Sequence, residues 1–152
     1  MTIKVLFVCH GNICRSPMAE FMFKDMVKKA HCEDEFEIAS AATSREEIGN
    51  PVYPPARRKL AEYGISCAGK TARQMTMRDY RYYDYILCAD RNNLRNLRYI
   101  IGEDELQKVH LLLDFTSRPG QSIADPWYTD DFDTTYADIK EGLEGFYRHI
   151  QK

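Results

Sequence analysis

The chain has 152 residues, 29% of them charged and 44% apolar, and its formal net charge is −2 at pH 7. This length is typical of one domain with a buried core, and the near-neutral charge disfavours a general nucleic-acid surface, which is normally basic. We expect a cytoplasmic protein with reduced thiols, because no apolar run approaches the roughly 20 residues of a membrane span, the N-terminus lacks a secretion-signal pattern, and the cysteines are irregularly spaced.

The first half of the chain alternates predicted strands and helices. The apolar run at 3–8 predicts a strand that is covered on both faces. Apolar residues at helical spacing then predict a helix over 18–30. A second strand is predicted at 36–41, and a helix that starts with two prolines and stops at a glycine is predicted over 54–64.

The second half continues the alternation, with strands predicted at 83–89 and 108–114 and helices at 91–100 and 132–150. The tyrosines and arginines just before the third strand are interpreted as its solvated entry rather than a nucleic-acid surface. Two glycines inside the last helix weaken its helical propensity. The pattern predicts a single α/β domain over 1–152, with a four-stranded parallel sheet flanked by helices on both faces. The active site of such a sheet lies beyond the carboxyl ends of its strands.

The sequence CHGNICRS, residues 9–16, connects the first predicted strand to the first predicted helix. A loop that leads into a helix N-terminus directs backbone N–H groups inward, so it can bind a tetrahedral oxyanion. Arg15 can bind two phosphate oxygens in a planar fork, and the same groups would stabilise a thiolate at Cys9. Gly11 and Asn12 are residue types that tolerate the positive φ angles expected in such a loop.

Two residues at the helix start support this interpretation. Ser16 can donate its hydroxyl to the Cys9 sulfur or cap the helix, and Pro17 suits the first helical position. One alternative is an ordinary turn in which Cys9 and Cys14 are small core residues. A zinc site is disfavoured because Cys9, His10 and Cys14 lack ligand spacing, and the glycines and lysine of a Walker-type loop are missing.

These motifs resemble those of the low-molecular-weight protein tyrosine phosphatases. VLFVCHGNICRSPMAE is similar to the family's C-x5-R-S signature, and the likeness continues through SAATSREEIGNPVYPPARRKL, ILCADRNNLRNL and DPW. The resemblance implies hydrolysis of phosphotyrosine and other aryl phosphate monoesters through a phosphocysteine, with Cys9 as nucleophile, Arg15 binding phosphate and Asp125 as general acid. The rest of the implied phosphate-binding loop is His10, Gly11, Asn12, Ile13, Cys14 and Ser16. We expect a monomer that acts on phosphotyrosine-containing protein, needs no cofactor or metal, and binds neither nucleic acid nor membrane.

The residues alone do not single out Asp125 as an acid. It lies in a predicted loop after the fourth strand, where an Asp-Pro step commonly marks a turn. Asp130, Asp131 and Asp133 follow closely and are interpreted as helix-start acids. The resemblance favours Asp125 as the group that protonates the leaving oxygen and later activates water.

The resemblance also implies how the loop is supported. Ser40, at the end of the second strand, is expected to hydrogen-bond Asn12 and hold its backbone. Lys70 stands where the family often has a histidine. Because a charged lysine cannot accept a hydrogen bond, this part of the support is expected to differ from the family's pattern.

Substrate preference is predicted from the pocket rim. Trp127 and Tyr128 are expected to form an aromatic wall, whereas Glu46 stands where many relatives have an aromatic residue and should favour basic peptides over acidic ones. Relatives that hydrolyse phosphoarginine carry threonine at the position of Ile13, so isoleucine favours tyrosine. Relatives that reduce arsenate use two further cysteines close together, unlike the well-separated candidates in this sequence. A non-catalytic phosphate-binding or redox-sensing module remains as an alternative class.

Cys14 has no obvious role in phosphate binding and leaves two hypotheses. It is either a small buried loop residue or a resolving thiol, which would make the protein redox-sensitive. In the second case, peroxide would oxidise Cys9 to a sulfenic acid and Cys14 would capture it as a disulfide.

Overall fold

A computed structural model describes residues 2–151 and contains a four-stranded parallel sheet. Its strands are β1 (Ile3–Cys9), β2 (Phe36–Ala42), β3 (Tyr85–Cys88) and β4 (Val109–Leu111). The order across the sheet is β2-β1-β3-β4, and every neighbouring pair is parallel. All four predicted strands are present. β4 is shorter than predicted because Leu112–Phe115 turns into a 3-10 helix.

The predicted helices are also present, together with two short ones that the sequence patterns did not predict. The α-helices of residues 2–151 are α1 (Arg15–Lys29), α2 (Pro54–Ala61), α3 (Met77–Tyr82), α4 (Arg91–Ile101), α5 (Pro126–Thr129) and α6 (Phe132–Ile150), and a 3-10 helix covers Glu33–Glu35. No helix within that part of the chain is both long and apolar enough to cross a membrane.

The interpretation of the tyrosine-rich stretch before β3 as a solvated strand entry is wrong, because that stretch forms α3. Thr76 and Asp79 form a reciprocal capping box, in which the Thr76 side chain accepts from the Asp79 N–H and the Asp79 carboxylate accepts from the Thr76 N–H. Tyr80 is buried and belongs to the core. Capping and burial therefore stabilise a helix too short to be recognised from periodicity.

Strand β1 shows why the sheet is covered on both faces. Val5 and Phe7 belong to the apolar cluster that includes the buried faces of α1 and α6. Leu6 and Val8 point to the other face and belong to the cluster that includes residues of α3 and α4. Since alternate side chains of a strand point to opposite faces, an uninterrupted apolar run is required here, and the predicted fold class is confirmed.

The two glycines of α6 have a packing role. A Cβ atom at Gly142 would lie 2.5 Å from Leu112 Cγ, and one at Gly145 would overlap the carbonyl oxygen of Phe115. These glycines let α6 approach the 3-10 helix that follows β4. Close packing thus offsets the low helical propensity of glycine.

Candidate active site

The loop over residues 9–16 lies where β1 ends and α1 begins, at the carboxyl edge of the sheet, as predicted. Helix α1 starts at Arg15, which corrects two expectations. Ser16 does not cap the helix: the N-cap is Cys14, and no side chain caps that end. Pro17 is the third rather than the first helical residue, which it tolerates because N–H groups of the first turn have no helical partner.

Asn12 holds the loop from within. It has a φ of 61° and is buried. Its side-chain nitrogen donates to Ser16 Oγ at 2.7 Å and to Ser40 Oγ at 3.0 Å, so the expected contact with Ser40 is present. Its side-chain oxygen accepts from the Arg73 N–H at 3.2 Å. These three hydrogen bonds fix a backbone conformation that few residue types other than glycine adopt.

The expectation of positive φ at Gly11 is wrong, since its φ lies outside the left-handed region. The requirement for glycine there is one of space. A Cβ atom at Gly11 would lie 3.3 Å from Cγ of Glu47, which also lines the site. A side chain at this position would therefore press on the neighbouring wall.

A buried carboxylate supports Ser40 from behind. Ser40 Oγ donates to Glu20 Oε1 at 2.6 Å, and Lys24 donates to the other oxygen of Glu20 at 2.6 Å. Lys70 Nζ donates to the Ser40 carbonyl at 3.0 Å and lies 3.7 Å from Glu20 Oε1. Burial lowers the pKa of Lys70, although Glu20 opposes that shift. Lys70 thus supports the loop as a donor to the backbone, which resolves how a lysine can occupy this position.

The sulfur of Cys9 is nearly enclosed and lies against Ser16. Cys9 is 3% exposed, its Sγ is 3.1 Å from Ser16 Oγ, and the Ser16 N–H points at Sγ over 3.4 Å. A Cys9 thiolate would accept hydrogen bonds from both groups. The second proposed role of Ser16, as a donor to sulfur, therefore has the required geometry.

The remaining cysteines lie in different surroundings. Burial raises the pKa of Cys14 strongly, and the nearby Cys9 raises it further, so Cys14 is a neutral thiol. Cys67 and Cys88 belong to the two separate apolar clusters, on opposite faces of the sheet. All five cysteines of the chain are free thiols. Cys67 and Cys88 therefore cannot supply the adjacent pair that arsenate reduction requires.

Arg15 is a buried cation held in a fixed position. It is 2% exposed, and its Nη1 donates to Asp90 Oδ2 at 2.6 Å and to the Ile123 carbonyl at 2.8 Å. Burial alone would lower the pKa of the guanidinium, but the nearby Cys9 and two carboxylates more than offset this, and the pKa is raised. Its Nε has no hydrogen-bond partner within the described residues. A bound oxyanion would satisfy this donor.

Asp125 faces Arg15 from the opposite wall. It is the N-cap of α5, where its Oδ1 accepts from the Trp127 N–H at 3.0 Å, and its Oδ2 lies 3.3 Å from Arg15 Nη2. Among the nearby acids, Asp131 caps α6 and Asp133 lies in its first turn, as expected. Asp130 instead ends α5 with a φ of 56°, so its interpretation as a helix-start acid is wrong.

The predicted site residues surround a cleft of about 140 Å³. It is lined by Cys9, His10, Gly11, Ile13, Cys14, Arg15, Glu46, Glu47, Asp125, Trp127 and Tyr128. His10 contacts Glu46 at the rim. Trp127 packs on Tyr53, with ring centroids 4.9 Å apart, and forms the expected aromatic wall with the exposed Tyr128. Ser16 and Ser40 lie behind the cleft and act through the contacts described above.

Sequence patterns missed two carboxylates that hold this arrangement, Asp90 and Glu20. Asp90 lies two residues after the end of β3, which pairs with β1, so the position of an acid just beyond a strand end was the available signal. It also caps α4 by accepting from the Asn93 N–H at 2.8 Å. Glu20 gave no signal, because its burial depends on its contact with Ser40.

Comparisons with known proteins agree with this geometry. Residues 4–152 match the family model described as low molecular weight phosphotyrosine protein phosphatase. The chain is 38% identical over 151 residues to the low molecular weight protein-tyrosine-phosphatase YfkJ of Bacillus subtilis, covering 99% of this chain and 97% of that protein. It is 40% identical over 139 residues to the human low molecular weight phosphotyrosine protein phosphatase, covering 89% and 87% respectively. The crystal structure of YfkJ superposes with a TM-score of 0.94 over 99% of this chain and 96% of that one.

Proposed function

The chain belongs to the low molecular weight phosphotyrosine protein phosphatase family, and from that membership we propose how its cleft hydrolyses phosphotyrosine. Cys9 is the nucleophile, Arg15 and the loop N–H groups bind the phosphate, and Asp125 is the general acid. The observation that carries this assignment is the convergence of these three side chains on one cleft. Asp125 is far from Cys9 and Arg15 in the sequence, and each of the three has a chemically distinct task.

In the first step, the Cys9 thiolate attacks phosphorus, the S–P bond forms, and the bond to the tyrosine oxygen breaks. Asp125 gives its proton to the leaving phenolate. The dipole of α1 and the guanidinium of Arg15 stabilise charge on the transferring phosphoryl group.

In the second step, water hydrolyses the phosphocysteine. The Asp125 carboxylate accepts a proton from water as its oxygen attacks phosphorus, and the S–P bond breaks to release inorganic phosphate. The departing Cys9 thiolate accepts hydrogen bonds from the hydroxyl and N–H of Ser16, which lie 3.1 and 3.4 Å from the sulfur. Ser16 thereby lowers the cost of returning the thiolate.

The walls of the cleft favour an aromatic phosphate ester. Ile13, Trp127 and Tyr128 offer apolar surface to a phenyl ring, and burial of that ring contributes roughly 25 cal/mol per Å². Phosphoserine lacks this ring. Phosphoarginine would place a charged guanidinium beside Ile13, which offers it no hydrogen bond. The five free cysteines fit a protein that works in the cytoplasm, where thiols stay reduced. Its substrate would then be a phosphotyrosine protein of the same compartment.

The test is turnover and binding by Cys9→Ser, with Cys32→Ser as the matched control outside the cleft. We expect Cys9→Ser to abolish hydrolysis of p-nitrophenyl phosphate while still binding inorganic phosphate in calorimetry, because the loop and Arg15 remain. Cys32→Ser should retain wild-type turnover. Substantial activity in Cys9→Ser would refute the assignment of Cys9 as the nucleophile. Faster hydrolysis of phosphoarginine than of phosphotyrosine by the wild type would refute the assignment of phosphotyrosine as the substrate.

A further inference from the structure

A second cavity, of about 500 Å³, opens beside the catalytic cleft. His10, Arg15, Asp125 and Tyr128 line both spaces. The outer part of the second cavity is lined by Arg91, Asn92, Asn96 and Ser122, and we call this part the Arg91 groove. The whole second cavity lies within the range of about 300–1,000 Å³ that is usual for ligand sites. Because the two spaces share lining residues, a polypeptide substrate bound in the cleft can extend directly into the groove.

Sheet topology places the groove and the acidic rim of the cleft on different sides of Cys9. Glu46 and Glu47 follow β2, whereas Arg91 follows β3, and β1 lies between those two strands. A polypeptide that delivers phosphotyrosine to Cys9 can thus contact carboxylates on one side and the Arg91 groove on the other. The two sides present opposite charge to the residues that flank the phosphotyrosine.

Arg91 is positioned by backbone contacts and keeps an unpaired charge. Its N–H donates to Ser122 Oγ at 3.1 Å, and its Nε donates to the Gly120 carbonyl at 2.8 Å. Arg91 is exposed and forms no ion pair within residues 2–151. The acids at the inner end of the groove, Asp90 and Asp125, both face Arg15 instead. The free charge of the groove is therefore positive and lies at its outer end.

The rest of the groove is rich in amides. The side chains of Asn92 and Asn96 each carry a donor and an acceptor, which is the complement of a peptide backbone. The side-chain oxygen of Asn92 accepts from Arg95 Nη1 at 2.8 Å, which holds that side chain in place. The groove therefore combines contacts for main chain with a cation for one acidic side chain.

Building on the proposed function, we infer that the Arg91 groove binds the polypeptide next to the phosphotyrosine and that Arg91 selects an acidic side chain there. The interaction is an exposed ion pair between that acidic side chain and the Arg91 guanidinium, which its hydrogen bond to the Gly120 carbonyl already holds in place. We expect it to change kcat/KM by about two- to fivefold, as exposed pairs do. It contributes to substrate choice and not to the chemical step, because Arg91 does not line the cleft that holds Cys9.

The test uses three phosphotyrosine peptides: one with glutamates before and lysines after the phosphotyrosine, one with the reverse order, and one with serines on both sides. The first two have the same composition, so they differ only in where the charges lie. Each is assayed with the wild type, Arg91→Gln, Arg91→Glu and Arg98→Glu. Arg98 is on α4 but outside the groove, so Arg98→Glu is the matched control for net charge. Hydrolysis of p-nitrophenyl phosphate by each protein measures the catalytic centre alone.

We expect the wild type to prefer one of the two charged orders, Arg91→Gln to weaken that preference, and Arg91→Glu to weaken it further. Glu46 and Glu47, on the other side of Cys9, should maintain part of the preference in both variants. All four proteins should hydrolyse p-nitrophenyl phosphate at similar rates, and Arg98→Glu should keep the wild-type preference. Equal rates on all peptides with the wild type, or a preference that is undiminished in Arg91→Gln, would overturn the assignment of the groove. If the wild type does not hydrolyse p-nitrophenyl phosphate, the proposed function is overturned instead. Binding of the same peptides by the Cys9→Ser variant would still test whether the groove selects charge.

Discussion

The loop over residues 9–16 and the rim of the cleft differ in how firmly their side chains are held. Asn12, Arg15 and Ser16 are at most 2% exposed. Asn12 contacts Ser40 and Arg15 contacts Ile123 from distant parts of the chain, and Ser16 contacts Cys9 within the loop. At the rim, Trp127 is 53% exposed and Tyr128 is 83% exposed. The difference teaches that phosphate chemistry depends on buried side chains whose contacts allow only one arrangement of the loop. Choice among substrates depends on exposed side chains, which can be exchanged at little cost in stability.

The largest effect is expected at Asp125, where the two regions meet. Asp125→Ala should lower kcat by about 10²–10⁴-fold for a substrate with a poor leaving group, because the departing oxygen loses its proton donor. The loss should shrink for acidic phenols, which leave without protonation. Steady-state kinetics on a series of aryl phosphates measures this dependence.

The control for Asp125 is Asp131→Asn, which alters the carboxylate that caps α6 while keeping a capping side chain. It should leave the leaving-group dependence unchanged. An equal loss across all leaving groups in Asp125→Ala would assign the proton transfer to another acid.

The buried support behind the loop can be tested through Lys70. Since burial lowers its pKa, the unfolded chain binds more protons than the folded one between the folded pKa and 10.5. The free energy of unfolding of the wild type should therefore rise with pH relative to Lys70→Met in this interval, by no more than about 1.4 kcal/mol per pH unit. Urea denaturation from pH 7 upward measures the difference between the two proteins.

Lys24→Met is the matched control, since Lys24 pairs with the same carboxylate from a more exposed position. Any gain in stability of the wild type with pH relative to this variant should be smaller than that relative to Lys70→Met, because the Lys24 charge makes only a minor contribution to the lowered pKa of Lys70. If the difference in free energy of unfolding between the wild type and Lys70→Met does not change with pH, Lys70 is not buried as a charged group.

At the rim, Glu46→Lys should lower kcat/KM for phosphopeptides with basic flanks by about two- to fivefold, because an exposed attraction becomes a repulsion. Turnover of p-nitrophenyl phosphate should stay near the wild-type value. Glu105→Lys makes the same charge change at an exposed position outside the cleft. Peptide selectivity that changes equally in both variants would contradict a local role for Glu46.

The smallest effect on turnover is expected at Cys14, whose thiol is buried and neutral. Cys14→Ser should keep wild-type turnover but recover less fully from peroxide after dithiol treatment, because Cys9 sulfenic acid would proceed to sulfinic acid. Bound phosphate should protect both proteins. Mass spectrometry of the oxidised wild type should detect a peptide linked through Cys9 and Cys14. Full recovery of Cys14→Ser without such a peptide would assign Cys14 to packing alone.

The sequence predicts the parts of this molecule whose signals are local. The run at 3–8 is apolar except for Lys4 because both faces of β1 are covered, so its nearly continuous apolar character was a sufficient signal. Helices α3 and α5 were missed because they are short and depend on capping. Asp90 and Glu20 were missed because their roles arise only when the sheet brings Arg15 and Ser40 next to them. The strand order itself has no local signal.

The central position of β1 has a consequence for synthesis of the protein on the ribosome. Strand β1 lies between β2 and β3, which are both made after it, and α6, whose Phe146 belongs to the same apolar cluster as Phe7, is made later still. The apolar side chains of β1 therefore remain without their final cover until α6 has been made. Asp125 also emerges long after Cys9. A nascent chain can thus present the thiol and its loop before it has the acid, and the full reaction cycle becomes available only after Asp125 has been made.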